Sequence, residues 1–149
     1  MACDITVYLR WNRDASEHAA GMNNTYLLAV DGSPGSKKAV GFAAERAKLG
    51  GAKLIVAYVI EWSPYSFNTP EENETRHKRR EEELDKATQL VVMPIAAELK
   101  QQGIEVETVV RHGHPARTLI EVAEAQDVAQ IIIGRQGESG LKEMMFGSV

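Results

Sequence analysis

The sequence has one cysteine, few aromatic residues and no excess of positive charge. Because Cys3 is the only cysteine in the sequence, an internal disulfide framework and a cysteine-based zinc site are excluded. A formal net charge of -4 argues against general polyanion binding, because the chain has no surplus cations that could release counterions from nucleic acid. No apolar run approaches the ~18 residues that a membrane span needs. We therefore expect a small soluble domain in a reducing compartment, the cytoplasm.

The chain does have enough apolar residues for one packed core. Its 149 residues, 44% of them hydrophobic, suit a single domain. Residues 1–23 differ in pattern from the rest and lack the layout of a secretory signal. We predict that residues 24–149 form the domain. Residues 1–23 are then a flexible extension, or the natural start is Met22 and the start codon of Met1 lies upstream of it. A further alternative is that residues 5–11 add an edge strand.

From residue 24 onward, apolar runs alternate with helical patterns. Short, mostly apolar runs predict four strands, at 26–30, 53–60, 104–110 and 128–133, the third of which alternates as an edge strand does. Helices are predicted at 35–49, 70–101 and 113–125. Pro94 should kink or split the second helix, since it lacks a backbone N–H. The alternation predicts an α/β fold: an open parallel sheet with helices on both faces and right-handed crossovers.

Glycines follow the fourth predicted strand in a pattern that can cradle phosphate. Gly134 comes directly after the strand, where a missing side chain would let a ligand lie against the backbone. Gly137 allows a positive φ that turns N–H groups toward one concavity. Gly147-Ser148 has the composition of a helix N-terminus, which favours anions. The pattern alone leaves open a glycine-rich turn that only packs.

An aspartate, Asp31, directly follows the first predicted strand. In an open parallel sheet the ligand crevice lies beyond the carboxyl ends of the strands, where the winding reverses, so Asp31 should lie opposite Gly134. A carboxylate there can accept hydrogen bonds from a ribose or a purine edge, whereas it would repel phosphate. We therefore expect a nucleoside at the Asp31 end and phosphates at the Gly147 end.

Together these features resemble the universal stress protein family, specifically its nucleotide-binding branch with the motif G-x2-G-x9-G-[ST]. The motif is matched without a gap by Gly134, Gly137, Gly147 and Ser148. Three further segments resemble other landmarks of the family: LLAVDGS at 27–33, VAYVIEW at 56–62 and IIIG at 131–134. The resemblance covers about residues 24–149. It implies a Rossmann-like fold, similar to the adenine nucleotide alpha hydrolases, with strand order 3-2-1-4-5.

The resemblance also implies a nucleotide pocket that binds ATP, ADP or AMP. Asp31, with the backbone of Ala29 and Val30, would contact the ribose and adenine, and Val59 would meet the adenine edge. At the end of the fourth strand, Ile133 precedes Gly134, which would touch the ribose. The phosphates would be held by Gly137, Gly147, Ser148 and Val149. The phosphates could coordinate a magnesium ion. In this family the fifth strand commonly supports a homodimer.

The chain departs from this family at its end. It stops at Val149, where the family continues with a helix and a fifth strand. We expect a shortened chain in which the edge of the fourth strand is exposed and the homodimer is weakened. The N–H groups of residues 147–149 would also lack the dipole of a following helix.

The sequence favours a binding protein over an enzyme. It shows no nucleophile–base pair, no metal cluster and no P-loop pattern. His112-Gly113-His114 is interpreted as a turn that caps a helix, since its spacing does not fit a nucleotidyltransferase signature. The leading hypothesis is an ATP-binding stress-response protein whose bound nucleotide modulates association. The alternatives are a slow ATPase or phosphotransferase, and an interaction scaffold with no bound nucleotide.

Overall fold

The computed structural model of the chain describes residues 5–9, 24–61 and 69–134. Its elements follow one another along the chain as β1 (Ile5–Leu9), β2 (Thr25–Ala29), α1 (Pro34–Gly50), β3 (Lys53–Glu61), α2 (Pro70–Ala87), a π-helical turn (Thr88–Val92), α3 (Met93–Gln101), β4 (Val106–Gly113), α4 (Pro115–Ala125) and β5 (Gln130–Gly134). In these described ranges, no helix is both long and apolar enough to cross a membrane.

The strands form one five-stranded sheet in the order β1-β5-β2-β3-β4. Strands β2, β3, β4 and β5 are parallel to one another, and β1 runs antiparallel to β5. The four strands that the sequence predicts thus lie in the order 3-2-1-4, with the third at a sheet edge. This confirms the predicted α/β fold.

The outer edge of β5 is covered by β1. The two strands pair from Ile5 beside Gly134 to Leu9 beside Gln130. The expectation that this edge would be exposed is wrong, because an antiparallel strand from the start of the chain pairs with the N–H and C=O groups that an edge presents. The pairing agrees with the edge-strand alternative for residues 5–11, while the division of the chain at residue 24 stays a prediction.

Both faces of the central strands are buried. Side chains that alternate along each strand point to opposite faces of the sheet. Leu28, Leu54 and Ile132 pack with α1 and α3 on one face. Leu27 and Ile55 pack with α4 on the other. Each of these side chains is at most 1% exposed, and such full burial contributes about 1.5–3 kcal/mol per side chain.

Pro94 divides the long helical segment, as the sequence predicts. Before it, the N–H of Met93 donates to the carbonyl of Thr88, five residues back, in a π-helical turn. Pro94 then lies in the first turn of α3. A proline inside a regular helix would lose a hydrogen bond and its ring would strike the carbonyl four residues earlier. The wider turn accommodates it without ending the helical path.

The first turn of α1 lies directly against the end of β5. A Cβ built on Gly134 would lie closer than 3.0 Å to the carbonyl carbon and oxygen of Gly35, and 2.8 Å from the amide nitrogen of Ser36. These are backbone atoms, so they cannot move unless the helix moves. Glycine at position 134 is therefore required for α1 to pack at this distance from the strand.

We predict that Gly134→Ala lowers the free energy of unfolding by about 1–3 kcal/mol, because the added methyl group pushes α1 away from β5. Gly41→Ala is the matched control. No atom lies within 4 Å of a Cβ at Gly41, which is an exposed position inside α1. That substitution should stabilise the helix by roughly 0.5–1 kcal/mol. Urea denaturation followed by circular dichroism measures both, and equal effects of the two variants would contradict the account.

Candidate functional site

The winding of the sheet reverses between β2 and β5. From β2 the chain passes through α1 to β3, whereas it reaches β5 through α4, on the opposite face. The two strands are parallel neighbours, with Ala29 beside Ile133. At such a reversal the connecting helices lie on different faces, and open α/β sheets usually bind ligands in the crevice beyond the carboxyl ends of these two strands. The candidate site is therefore this crevice between β2 and β5.

Asp31 lies at the crevice and is held by the backbone around it. Its Oδ1 accepts a hydrogen bond from the N–H of Ser33 at 2.9 Å, and its own N–H donates to Oγ of Ser36 at 3.2 Å. The residue is partly exposed. A carboxylate offers about four acceptor positions, so the bond from Ser33 leaves Asp31 able to accept further hydrogen bonds from a ligand.

Two serines that the sequence analysis did not assign to the site fix this arrangement. Ser33 and Ser36 are only 3% and 4% exposed. Ser33 is the N-cap of α1, and its Oγ accepts from the N–H of Ser36 at 3.2 Å. The sequence contains a signal for both bonds. An aspartate side chain often accepts from the N–H two residues later in an Asx turn, as Asp31 does with Ser33. Serine is a preferred N-cap residue, whose hydroxyl accepts from the N–H three residues later, as Ser33 does with Ser36.

Three apolar residues of the predicted pocket share one face of the sheet. Ala29 lies between Ala57 and Ile133 in the strand register, and Val59 lies further along β3. The side chains of Ala29, Val59 and Ile133 are partly buried and pack against the core on the α4 side. At the carboxyl ends of adjacent strands they form an apolar surface that a planar base could contact.

Val30 differs from these three residues. Its side chain is 5% exposed and belongs to the core on the α1 side. Its N–H donates to the carbonyl of Ala57 at 2.9 Å. The backbone carbonyl of Val30 is therefore the group of this residue that could contact a ligand. The resemblance likewise implies a contact through the backbone.

Gly134 reaches the same end of the sheet as Asp31, but the space beside its missing side chain is not open. The first turn of α1 fills that space. The sequence analysis expected the missing side chain of Gly134 to make room for a ligand. The structure shows instead that it makes room for the backbone of α1. A contact between the backbone of Gly134 and a ligand stays a prediction.

The remaining predicted residues of the site follow β5. Gly137, Gly147, Ser148 and Val149 lie outside the described residues. The nucleoside half of the predicted pocket can therefore be examined in the structure, and the phosphate half stays a prediction.

The histidines around Gly113 are explained by the start of α4. His114 is the N-cap of this helix, and its Nδ1 accepts a long hydrogen bond, 3.5 Å, from the N–H of Arg117. Nε2 of His112 lies 3.0 Å from Oε2 of Glu83 on α2. The helix-capping part of the interpretation of His112-Gly113-His114 is confirmed for His114, whereas His112 and Gly113 form the end of β4 and not a turn. Among the side chains that the structure describes, no group of three His, Cys, Asp or Glu residues could hold a metal ion.

Comparison with known proteins agrees with this geometry. The universal stress protein family model matches residues 22–149. The universal stress protein YxiE of Bacillus subtilis is 31% identical to this chain over 137 residues, which cover 86% of this chain and 89% of that protein.

Solved structures share the fold. The structure of MJ0577, a universal stress protein of Methanocaldococcus jannaschii, matches with a TM-score of 0.62 and 22% identity, covering 82% of this chain and 81% of that chain. A universal stress protein solved in complex with cAMP matches with a TM-score of 0.55 and 23% identity, covering 85% of this chain and 86% of that chain. Because the family model spans most of the chain and YxiE is similar over most of its own length, the chain belongs to the universal stress protein family.

Proposed function

We propose that this chain is a cytoplasmic stress-response regulator that binds an adenine nucleotide in the crevice between β2 and β5. The bound nucleotide changes the association of the chain with a second copy or with another protein. The observation that carries the proposal is the position of Asp31, a partly exposed carboxylate fixed by Ser33 and Ser36 at the point where the winding reverses.

In the proposed site, a carboxylate and an apolar surface bind the nucleoside. Asp31 accepts hydrogen bonds from ribose hydroxyls, and bonds to an ionised acceptor are stronger than those between neutral groups. The apolar side chains of Ala29, Val59 and Ile133 lie against the base, where they exclude water. The family member in complex with cAMP supports this choice, because cAMP shares its adenine and ribose with ATP, ADP and AMP.

The phosphate half is assigned to the residues after β5. In the proposal, the N–H groups of Gly137, Gly147, Ser148 and Val149 hold the phosphates, as helix N-termini and glycine-rich turns do elsewhere. The phosphate oxygens and water would hold a magnesium ion. The nucleotide would then lie with its base over β2 and β3 and its phosphates beyond Gly134.

Binding rather than catalysis is proposed because Asp31 is at the nucleoside end of the site. A carboxylate there is badly placed to activate a water against the γ-phosphate, so any hydrolysis should be slow and incidental. A single-turnover assay with radiolabelled ATP tests this point. Rapid phosphate release that Asp31→Ala abolishes would show that the chain is an ATPase instead.

We predict that Asp31→Ala weakens adenine nucleotide binding at least tenfold, because a hydrogen bond to a charged group contributes about 1.5–3 kcal/mol. Asp31→Asn keeps an oxygen that can accept from the N–H of Ser33, so it should fold normally and lose less affinity. Asp85→Asn, an exposed aspartate on α2, is the control for the lost charge. Isothermal titration calorimetry compares the four proteins. Equal affinity of Asp31→Ala and the wild type would refute the proposed site.

For the phosphate half, Gly137→Val and Gly147→Val should abolish nucleotide binding while the unfolding transition stays close to that of the wild type. A β-branched side chain disfavours the positive φ that Gly137 is expected to adopt and would crowd the N–H groups at Gly147. Gly41→Val makes the same chemical change at an open helical position. Unchanged affinity in both loop variants would show that the phosphates bind elsewhere or not at all.

A further inference from the structure

The sheet has a second edge at β4, on the side away from the crevice. No strand among the described residues pairs with the outer side of β4. The N–H of Leu54 on β3 donates to the carbonyl of Glu105 at 2.9 Å. Because backbone groups alternate in direction along a strand, those of Glu107, Val109 and Arg111 face β3. The N–H and C=O groups of Val106, Thr108, Val110 and His112 therefore face outward.

These outward groups are spaced so that two copies of β4 can pair with each other. In an antiparallel pair with Val109 opposite Val109 of a second copy, Thr108 lies opposite Val110 of that copy. Both residues present outward groups, so they exchange N–H to C=O hydrogen bonds, and Val106 does the same with His112. Val109 then lies on the two-fold axis in a non-hydrogen-bonded pair, where facing side chains approach most closely.

The charges on this edge match the same register. With Val109 on the axis, Glu107 lies opposite Arg111 of the second copy, and Arg111 lies opposite Glu107. Both residues are exposed, and both occupy non-hydrogen-bonded positions. Opposite charges that face each other across strands stabilise the pair, whereas like charges destabilise it. Centring the pair on Glu107 or on Arg111 would bring like charges together, whereas the register centred on Val109 places both Glu107 and Arg111 opposite a residue of the other sign.

The surroundings of Glu107 and Arg111 suit this arrangement. Glu107 forms an ion pair with Lys53 on β3, and Lys53 also lies 4.0 Å from Glu105. The hydrogen bond with Glu107 raises the pKa of the Lys53 ammonium above its ordinary value. The side chain of Glu107 is still 52% exposed. Arg111 makes no ion pair with any side chain in the described part of the chain.

We propose that the β4 edge binds a second copy of this chain through an antiparallel β4–β4 pair centred on Val109, with two reciprocal Glu107–Arg111 ion pairs. The sheet then continues from one copy into the other. The residues of β4 that form this pair are separate from those assigned to the nucleotide site, because β3 lies between β4 and the crevice between β2 and β5.

Sedimentation velocity of the full chain tests the proposal, over about 5–500 μM protein at low and high salt, since exposed ion pairs weaken as salt rises. We expect a monomer–dimer equilibrium that weakens with salt. Arg111→Glu turns both attractions into repulsions and should raise the dimer dissociation constant at least tenfold. The double reversal Glu107→Arg with Arg111→Glu restores opposite charges across the pair and should lower the constant well below that of Arg111→Glu, although not fully to the wild-type value, because it also breaks the ion pair between Glu107 and Lys53. Arg79→Glu, an exposed arginine on α2, makes the same charge change away from the edge and should leave dimerisation unaltered.

A second probe removes a backbone donor instead of a charge. Thr108→Pro lacks the outward N–H that the second copy would use, and that N–H has no part in the ladder with β3, so the fold should survive. The dimer should be lost, while Thr108→Ala should retain it. A chain that stays monomeric at every concentration overturns the proposal. So does a dimer that Arg111→Glu and Thr108→Pro leave intact, or a double reversal that binds as weakly as Arg111→Glu alone.

Discussion

The geometry of the candidate site depends on the close approach of the first turn of α1 to the end of β5. Only a glycine at position 134 permits this approach, since any Cβ would overlap the backbone of Gly35. The same turn of α1 contains Ser33 and Ser36, which hold Asp31 through backbone and hydroxyl hydrogen bonds. One packing contact thus sets the helix, the carboxylate and the ends of two strands in fixed relative positions. A ligand in the crevice would meet a preformed surface.

Most of the fold could be predicted because its signals are local. Buried parallel strands appear as apolar runs, and the capping residues and Pro94 mark where helical segments begin and divide. The pairing of β1 with β5 could not be predicted in this way. It joins Ile5 to Gly134, and no pattern within residues 5–9 specifies so distant a partner. The end of β4 was also placed too early, because the polar residues Arg111 and His112 of an edge strand do not read as a buried run.

The features of the site that depend on strand topology could be predicted from the sequence, whereas those that depend on the packing of helix against strand could not. Parallel strands and the reversal of winding were enough to bring Asp31 and Gly134 to the same end of the sheet. The role of Gly134 as a contact surface for α1 was missed, because it depends on the distance between two backbones that only the folded chain defines. The β4 edge illustrates the same limit. The alternation of residues 104–110 suggested an edge strand, but the direction of its free N–H groups, and therefore its possible register with a second copy, follows from the bond between Leu54 and Glu105.

The most direct test of the central claim is a crystal structure of the full chain grown with ATP. The account predicts a nucleotide in the crevice between β2 and β5, with a ribose oxygen within hydrogen-bonding distance of the Asp31 carboxylate and the base against Ala29 and Val59. A nucleotide bound away from Asp31, or a crevice filled by the protein's own side chains, would contradict it.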